Sequence, residues 1–131
     1  MDAHFTDAIV CPPAPNFADG LTTVDLGAPD YALALAQHAH YCQVLEECGL
    51  YLTMLPPDPR HPDSTFVEDT AILTDHGALL TLPGATSRSG EVAAMRTALG
   101  AFYPTLAAIT APGALDGGDI CEAGQHVLIG I

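Results

Sequence analysis

Short apolar runs, each bounded by proline, glycine or aspartate, alternate with two longer segments along the chain. Proline lacks the N–H group that a β-ladder needs, so prolines mark the ends of the first runs. The runs are rich in β-branched and aliphatic residues and predict strands. These strands are expected at residues 4–10, 51–55, 66–74, 77–82 and 105–110.

The two longer segments have helical spacing. In residues 30–48, side chains such as Leu35 and Cys42 recur about every three to four positions. Asp30 is the predicted N-cap and Gly49 the residue that ends this helix. A second helix is predicted from about residue 89 to residue 103, where the following proline ends it.

A hairpin pattern occurs twice, about 50 residues apart. Asp69 is followed seven residues later by His76 and an apolar run, and Asp119 is followed seven residues later by His126 and a similar run. This internal repeat predicts an α/β fold assembled from units, not a single open sheet. Residues 127–131 form an apolar run with no helix to cover it, so we expect a piece of a longer protein or assembly with another copy.

The segment FVEDTAIL, residues 66–73, places Glu68 and Asp69 inside a predicted strand. Neighbouring strand residues point to opposite faces, so at most one of these carboxylates can face the core. Burying a carboxylate without a partner is costly. The acids therefore face either water or a cation that this chain does not encode.

Composition narrows the possible functions. At 131 residues the chain has the size of one domain, and its 49% hydrophobic content argues against disorder. Sixteen acidic residues against three arginines and no lysine give a net charge of -13. This balance disfavours nucleic acid and membrane surfaces, which bind chiefly through basic residues. It favours cationic ligands, although an acidic surface can equally serve solubility.

The compartment is predicted from the cysteines and the N-terminus. The sequence has four cysteines, no CxxC pair and no signal-peptide pattern, which is typical of reduced thiols in a cytoplasmic protein. No apolar run reaches the roughly 20 residues that a membrane span requires. We therefore predict a cytoplasmic location.

Three groups of residues could carry chemistry. Asp63 and Asp69 could converge on a planar guanidinium, which carboxylates bind in bidentate fashion. Alternatively, Asp63 caps its own turn and Glu68 is solvated. In the stretch LDGGDI, Asp116 either belongs to an ordinary turn or orients a catalytic histidine. Arg88 is either a surface charge at a helix start or a partner for a ligand carboxylate.

The sequence gives little support to a metal or a cofactor. His38 and His40 are two residues apart in a predicted helix, so their side chains diverge. The HExxH, Rossmann and P-loop patterns are not found. The residue pattern therefore disfavours a metal site, and no cofactor is predicted.

Several motifs occur together in a characteristic order: DGLTT, LPPDPRHPDSTFVEDTAIL, TLPGATSRSGE and LDGGDI. With these motifs the chain resembles the N-terminal half of the dimethylarginine dimethylaminohydrolase family, in the guanidino-group-modifying superfamily. The resemblance covers essentially all 131 residues. It implies a pentein-type α/β propeller of ββαβ modules, of which residues 1–131, a single partial domain, would form about two and a half of five.

The resemblance also implies hydrolysis of methylated arginine to citrulline and a methylamine through a cysteine nucleophile, without a metal. An arginine deiminase-like enzyme or a non-catalytic arginine-binding module is the alternative. The implied substrate-binding residues are Leu21, through its main chain, Asp63, Glu68, Asp69 and Arg88. Asp116 is the implied orienting acid of the catalytic histidine.

The remaining parts of the implied active site are expected outside this chain. A second carboxylate-binding arginine, the catalytic histidine and the nucleophilic cysteine all lie further along in the family. Cys121 does not match the nucleophile and is expected to be a buried structural thiol. The resemblance thus predicts a chain that is inactive alone and acts as a homo-oligomer or with a missing C-terminal half.

Overall fold

The computed structural model describes residues 5–130, which divide into two compact units between Thr65 and Phe66. Both units combine short strands with one α-helix, so the fold is α/β. None of the helices in the described part of the chain is long and apolar enough to cross a membrane.

The first unit contains a pair of parallel strands. Strand β1 is Asp7–Val10, helix α1 is Tyr31–Glu47 and strand β2 is Tyr51–Met54. Asp7 lies opposite Tyr51 and Val10 opposite Met54 in the parallel register. Parallel neighbours require a crossover connection, and α1 provides it. The predicted strand at residues 4–10 is confirmed as β1, with His4 outside the described residues.

The ends of α1 lie where the sequence predicts them. The Asp30 carboxylate accepts a hydrogen bond from the backbone N–H of Leu33 at 3.0 Å, which satisfies one of the free donors of the first turn. Gly49 follows the helix with φ +89°, a conformation that favours glycine. Cys42 is the buried residue of α1, and with Val10, Cys11 and Ala14 it forms the core of this unit.

The second unit contains a three-stranded sheet and a separate hairpin. Strands β3 (Ala71–Thr74) and β4 (Gly77–Leu80) form an antiparallel hairpin, and β5 (Leu106–Ala108) runs parallel to β4. Helix α2 (Val92–Leu99) makes the crossover between β4 and β5. The core residues on these elements are Ala78, Leu80, Met95 and Leu99.

The predicted strand at residues 66–74 is wrong in its first half. Val67–Thr70 form a 3₁₀ helix, and the strand begins only at Ala71. The Thr70 hydroxyl donates to the carbonyl of Val67 at 2.6 Å, a local bond that competes with a strand ladder. The expectation that Glu68 and Asp69 point to opposite faces of a strand therefore fails.

The second helix is also shorter than expected. A 3₁₀ helix at Thr86–Glu91 leads into α2, which ends at Leu99 with Gly100 as its C-cap. Glycine costs about 1 kcal/mol relative to alanine inside a helix. The helix thus ends at this glycine, before Pro104 can act as the stop.

The hairpin repeat is confirmed and extends further than the sequence shows. Strands β6 (Ile120–Ala123) and β7 (His126–Ile129) form the second antiparallel hairpin. Each hairpin is preceded by a 3₁₀ helix, Val67–Thr70 in the first and Gly117–Asp119 in the second. Asp69 and Asp119 therefore occupy equivalent places in the two repeats.

The second hairpin exposes apolar side chains. Val127, Leu128 and Ile129 are 56%, 59% and 60% exposed. Cys121 on β6 is exposed as well, so its expected burial is wrong. The reason is that β6 and β7 form a sheet of only two strands, which cannot bury both of its faces.

Candidate functional site

Asp63 and Leu21 are brought together in the first unit. Asp63 is 7% exposed, and its Oδ2 accepts the backbone N–H of Leu21 at 3.0 Å. This bond joins two loops that lie 42 residues apart in sequence. Leu21 is 61% exposed as a residue, and only its main chain makes this contact.

Asp58 organises the loop that leads to Asp63. Its carboxylate accepts from the backbone N–H of Arg60 at 3.0 Å and from Nε and Nη2 of Arg60, both at 2.9 Å. His61 Nδ1 lies 2.9 Å from Asp58 Oδ2, and the carbonyl of His61 accepts the Ser64 N–H at 3.0 Å. The sequence pattern did not indicate a role for His61, whereas in the structure His61 contacts Asp58 and accepts the Ser64 N–H within this loop.

Hydrogen bonds from Arg60, with a smaller contribution from His61, hold the pKa of Asp58 well below its usual range despite its partial burial. A carboxyl whose pKa is lower in the folded state stabilises the fold at pH values above its unfolded pKa of about 4. That stabilisation disappears as the pH falls through the lower, folded pKa.

We therefore expect Asp58→Asn to lower the melting temperature at pH 7, with the difference from the wild type shrinking as the pH falls below about 4. Thermal unfolding followed by circular dichroism from pH 7 to pH 2 measures this. Asp75→Asn, at an exposed turn position, is the control and should change little at any pH. A difference that stays constant down to pH 2 would contradict the assignment.

Asp69 lies in a charged cluster in the second unit. Its Oδ2 accepts Nη1 of Arg88 at 2.7 Å. Arg88 also donates from Nη2 to Glu91 Oε2 at 2.8 Å and to the carbonyl of Phe66 at 3.3 Å. The structure therefore places an encoded cation beside Asp69, which the sequence pattern did not reveal.

The protonation of Arg88 is secured by this cluster. Burial alone would lower its pKa, but the Glu91 and Asp69 carboxylates raise the pKa of Arg88 above its usual range. Its side chain is only 11% exposed. The surface-charge alternative for Arg88 is therefore wrong, and binding of a ligand carboxylate by Arg88 stays a prediction.

The LDGGDI loop completes the surroundings of Asp69. The backbone N–H of Gly118 donates to Asp69 Oδ1 at 3.0 Å, while Arg88 occupies Oδ2. Gly117 lies against the carbonyl of Glu68, so close that a Cβ atom there would overlap it. Gly117 is thus needed for this close backbone approach. The Glu68 side chain itself is exposed.

Asp116 lies half-buried next to this loop. Its Oδ2 accepts the backbone N–H of Gly84 at 3.1 Å. Its own N–H points to Asp119 Oδ2 at 3.3 Å, and the Asp119 N–H donates to the Asp116 carbonyl at 3.0 Å. The Gly84 N–H therefore restrains the Asp116 carboxylate at Oδ2.

Cys42 lacks the features of an activated nucleophile. Cys42 is buried, and this burial, with the nearby Glu46 charge, raises the pKa of its thiol and so reduces the thiolate fraction. His38 Nδ1 lies 3.6 Å from the Cys42 sulfur, but burial lowers the pKa of His38.

Across residues 5–130, no group of three or more His, Cys, Asp or Glu side chains could hold a metal ion.

Two of the curated proteins that match this chain carry the same name. The chain is 46% identical over 127 residues to N(G),N(G)-dimethylarginine dimethylaminohydrolase of Pseudomonas aeruginosa, matching 96% of this chain and 50% of that protein. It is 36% identical over 124 residues to the protein of the same name from Streptomyces coelicolor, matching 94% of this chain and 48% of that protein. The chain thus spans about half the length of these relatives. No family model matches it.

Solved structures give the same result. The dimethylarginine dimethylaminohydrolase of Pseudomonas aeruginosa, as a cysteine-to-serine mutant complexed with citrulline, superposes with a TM-score of 0.92 at 45% identity, covering 95% of this chain and 49% of that one. A cysteine-to-alanine mutant of AgrE, in a binary complex with L-arginine, superposes with a TM-score of 0.75 at 17% identity, covering 86% of this chain and 17% of that one. The second likeness shows the fold alone.

Proposed function

Because this chain is homologous to the dimethylarginine dimethylaminohydrolases over about half of their length, we propose that it supplies the substrate-binding acids of such a hydrolase. The reaction is hydrolysis of the guanidinium C–N bond of methylated arginine, which gives citrulline and methylamines. The observation that carries the proposal is the 46% identity across 96% of the chain. The half-length coverage agrees with the predicted match to the N-terminal half of the family.

The proposed roles follow the residues singled out in the sequence. Asp63 and Asp69 receive the substrate guanidinium, with Glu68 beside them, and the Leu21 main chain also contacts the substrate. An ionised carboxylate has about four lone-pair sites, and the Asp69 side chain is 19% exposed. Oδ1 and Oδ2 of Asp69 each accept one described bond, which leaves acceptor capacity for a ligand.

Two further roles are proposed, one for Arg88 and one for Asp116. Arg88 binds the α-carboxylate, which favours an amino acid over agmatine. Asp116 orients the catalytic histidine, and the bond from the Gly84 N–H to its carboxylate supports this role. The histidine and the cysteine nucleophile are proposed to come from the other half of the fold.

We propose that residues 1–131 form a single partial pentein domain, about two and a half of five propeller modules. The exposed apolar side chains of β7 support pairing with further chain, either the missing C-terminal half or a second copy. The chain alone is then an inactive guanidinium-binding piece. This description also covers the alternative of a non-catalytic arginine-binding module.

Calorimetry tests the binding part of the proposal. We expect the chain to bind asymmetric dimethylarginine, and Asp69→Asn to weaken that binding about 10- to 100-fold, because a hydrogen bond to a charged group contributes about 1.5–3 kcal/mol. Asp75→Asn is the charge-matched control, and it should bind like the wild type. Arginine and agmatine, titrated in parallel, rank the methyl and carboxylate groups.

Two results would contradict the proposal. One is equal binding by the wild type and Asp69→Asn when circular dichroism shows both to be folded. The other is a wild-type chain that binds none of the three ligands, because the acids in this chain would then not suffice to hold a guanidinium.

A further inference from the structure

Glu91 is a charged residue with no role in the proposed function. It is 6% exposed as a residue, and its side chain is 3% exposed. A carboxylate in such a place is costly unless it is paired and hydrogen-bonded. Glu91 meets this condition through one partner, since Arg88 donates to it from Nε at 3.1 Å to Oε1 and from Nη2 at 2.8 Å to Oε2.

Arg88 links Glu91 to Asp69, because its guanidinium bonds to both carboxylates. A guanidinium is planar, so holding its Nε and Nη2 edge also fixes the direction of Nη1. Nη1 points to Asp69 Oδ2 at 2.7 Å. Glu91, Arg88 and Asp69 thus form a line in which the position of the first side chain determines the orientation of the last.

The second oxygen of Asp69 is held independently. Oδ1 accepts the Gly118 N–H at 3.0 Å, so the carboxylate is restrained at both oxygens. The cluster contains two carboxylates and one guanidinium, and it keeps one net negative charge. That charge can still attract a second guanidinium, whereas a lone Asp69–Arg88 pair would be neutral.

We propose that Glu91 is a positioning residue, which acts through Arg88 to hold the Asp69 carboxylate in the orientation that receives a ligand guanidinium. The proposal rests on the proposed function of Asp69. Because the Glu91 side chain is 3% exposed, it acts without touching the ligand. Its two contributions are the alignment of Arg88 and the extra negative charge.

The arginine side-chain NMR spectrum tests the geometry without a ligand. The chain has three arginines, Arg60, Arg88 and Arg96, so three Nε–H signals are expected. In the wild type, the Arg88 signal should exchange with water more slowly than the other two. Glu91→Gln should shift this signal and speed its exchange about tenfold, since a charge-assisted hydrogen bond is lost. Glu122→Gln, at an exposed position on β6, should leave all three signals unchanged.

Binding of dimethylarginine tests the consequence. We expect Glu91→Gln to weaken binding about tenfold. Arg88→Lys should weaken it further, because lysine is a point charge that cannot bridge both carboxylates and cannot bind the ligand carboxylate in bidentate fashion. If Glu91 acts through Arg88, the double variant should bind no more weakly than Arg88→Lys alone. Additive losses in the double variant would overturn the proposal.

The other outcomes are equally decisive. An Arg88 signal that does not move in Glu91→Gln overturns the inferred geometry, and unchanged ligand affinity with a moved signal overturns the positioning role. If Glu91→Gln does not fold, the wild-type exchange rate of Arg88 Nε–H still decides, because fast exchange there overturns the geometry. If the wild-type chain binds no guanidinium, the proposed function is wrong, and so is this inference. The NMR measurement needs no ligand, so it tests the geometry around Glu91 separately from the proposed function.

Discussion

Adding the other half of the fold to this chain is expected to raise citrulline release from an undetectable level to a readily measured rate. The proposed chemistry requires a cysteine nucleophile and a histidine base, and neither is assigned to a residue of this chain. Removing such a group costs roughly six powers of ten in rate. The expected change is therefore larger than that of any single substitution in the binding acids.

The experiment mixes this chain with the C-terminal half of the Pseudomonas aeruginosa relative. That relative is 46% identical to this chain over the 127 residues that the two share. Citrulline formation from dimethylarginine is measured for each half alone, for the mixture, and for the mixture made with Asp69→Asn. Citrulline release by this chain alone would show that the predicted inactivity is wrong. A mixture that forms a complex by mass measurement but stays inactive would contradict the proposed hydrolase.

Gly117→Ala is expected to cause the largest loss of stability among single substitutions near the site, about 3 kcal/mol or more. A Cβ atom at position 117 would overlap the carbonyl of Glu68, and a backbone atom cannot move aside as a flexible side chain can. The 3₁₀ helix at Val67–Thr70 or the LDGGDI loop must then shift. Urea unfolding followed by circular dichroism measures the loss.

Gly84→Ala is the matched control for this substitution. Its Cβ would meet Asp116 Oδ2 at 3.5 Å, an ordinary van der Waals distance, and the N–H that donates to Asp116 is retained. We expect this variant to change the free energy of unfolding by less than about 0.5 kcal/mol. Equal losses in the two variants would show that the close approach at Gly117 is not the cause.

Local signals predicted much of the fold. Asp30 and Gly49 define α1 through bonds and backbone conformations that depend on neighbouring residues alone. The turn before Gly77 and the matching hairpin at β6 and β7 follow from the same kind of pattern. The repeat of Asp69 at Asp119 was visible because it depends on spacing and residue type.

The features that the sequence did not predict depend in part on distant residues. The Thr81 hydroxyl donates to the carbonyl of Asp69 at 2.6 Å from 12 residues away, which supports a 3₁₀ helix where an apolar run favoured a strand. The pairing of Arg88 with Asp69 spans 19 residues. The spacing of Arg88 and Glu91, three residues apart on a helical turn, was the one signal that could have indicated their ion pair.

The bond from Gly118 to Asp69 crosses from one repeat to the next, because the two residues lie 49 positions apart. An acid presented by one repeat is thus completed by a loop of its successor. A single copy of the repeat could fold its own hairpin and still leave that carboxylate half restrained. The smallest segment that preserves the restraint on Asp69 is therefore a pair of neighbouring repeats. In this architecture, one repeat alone does not hold both oxygens of its acid.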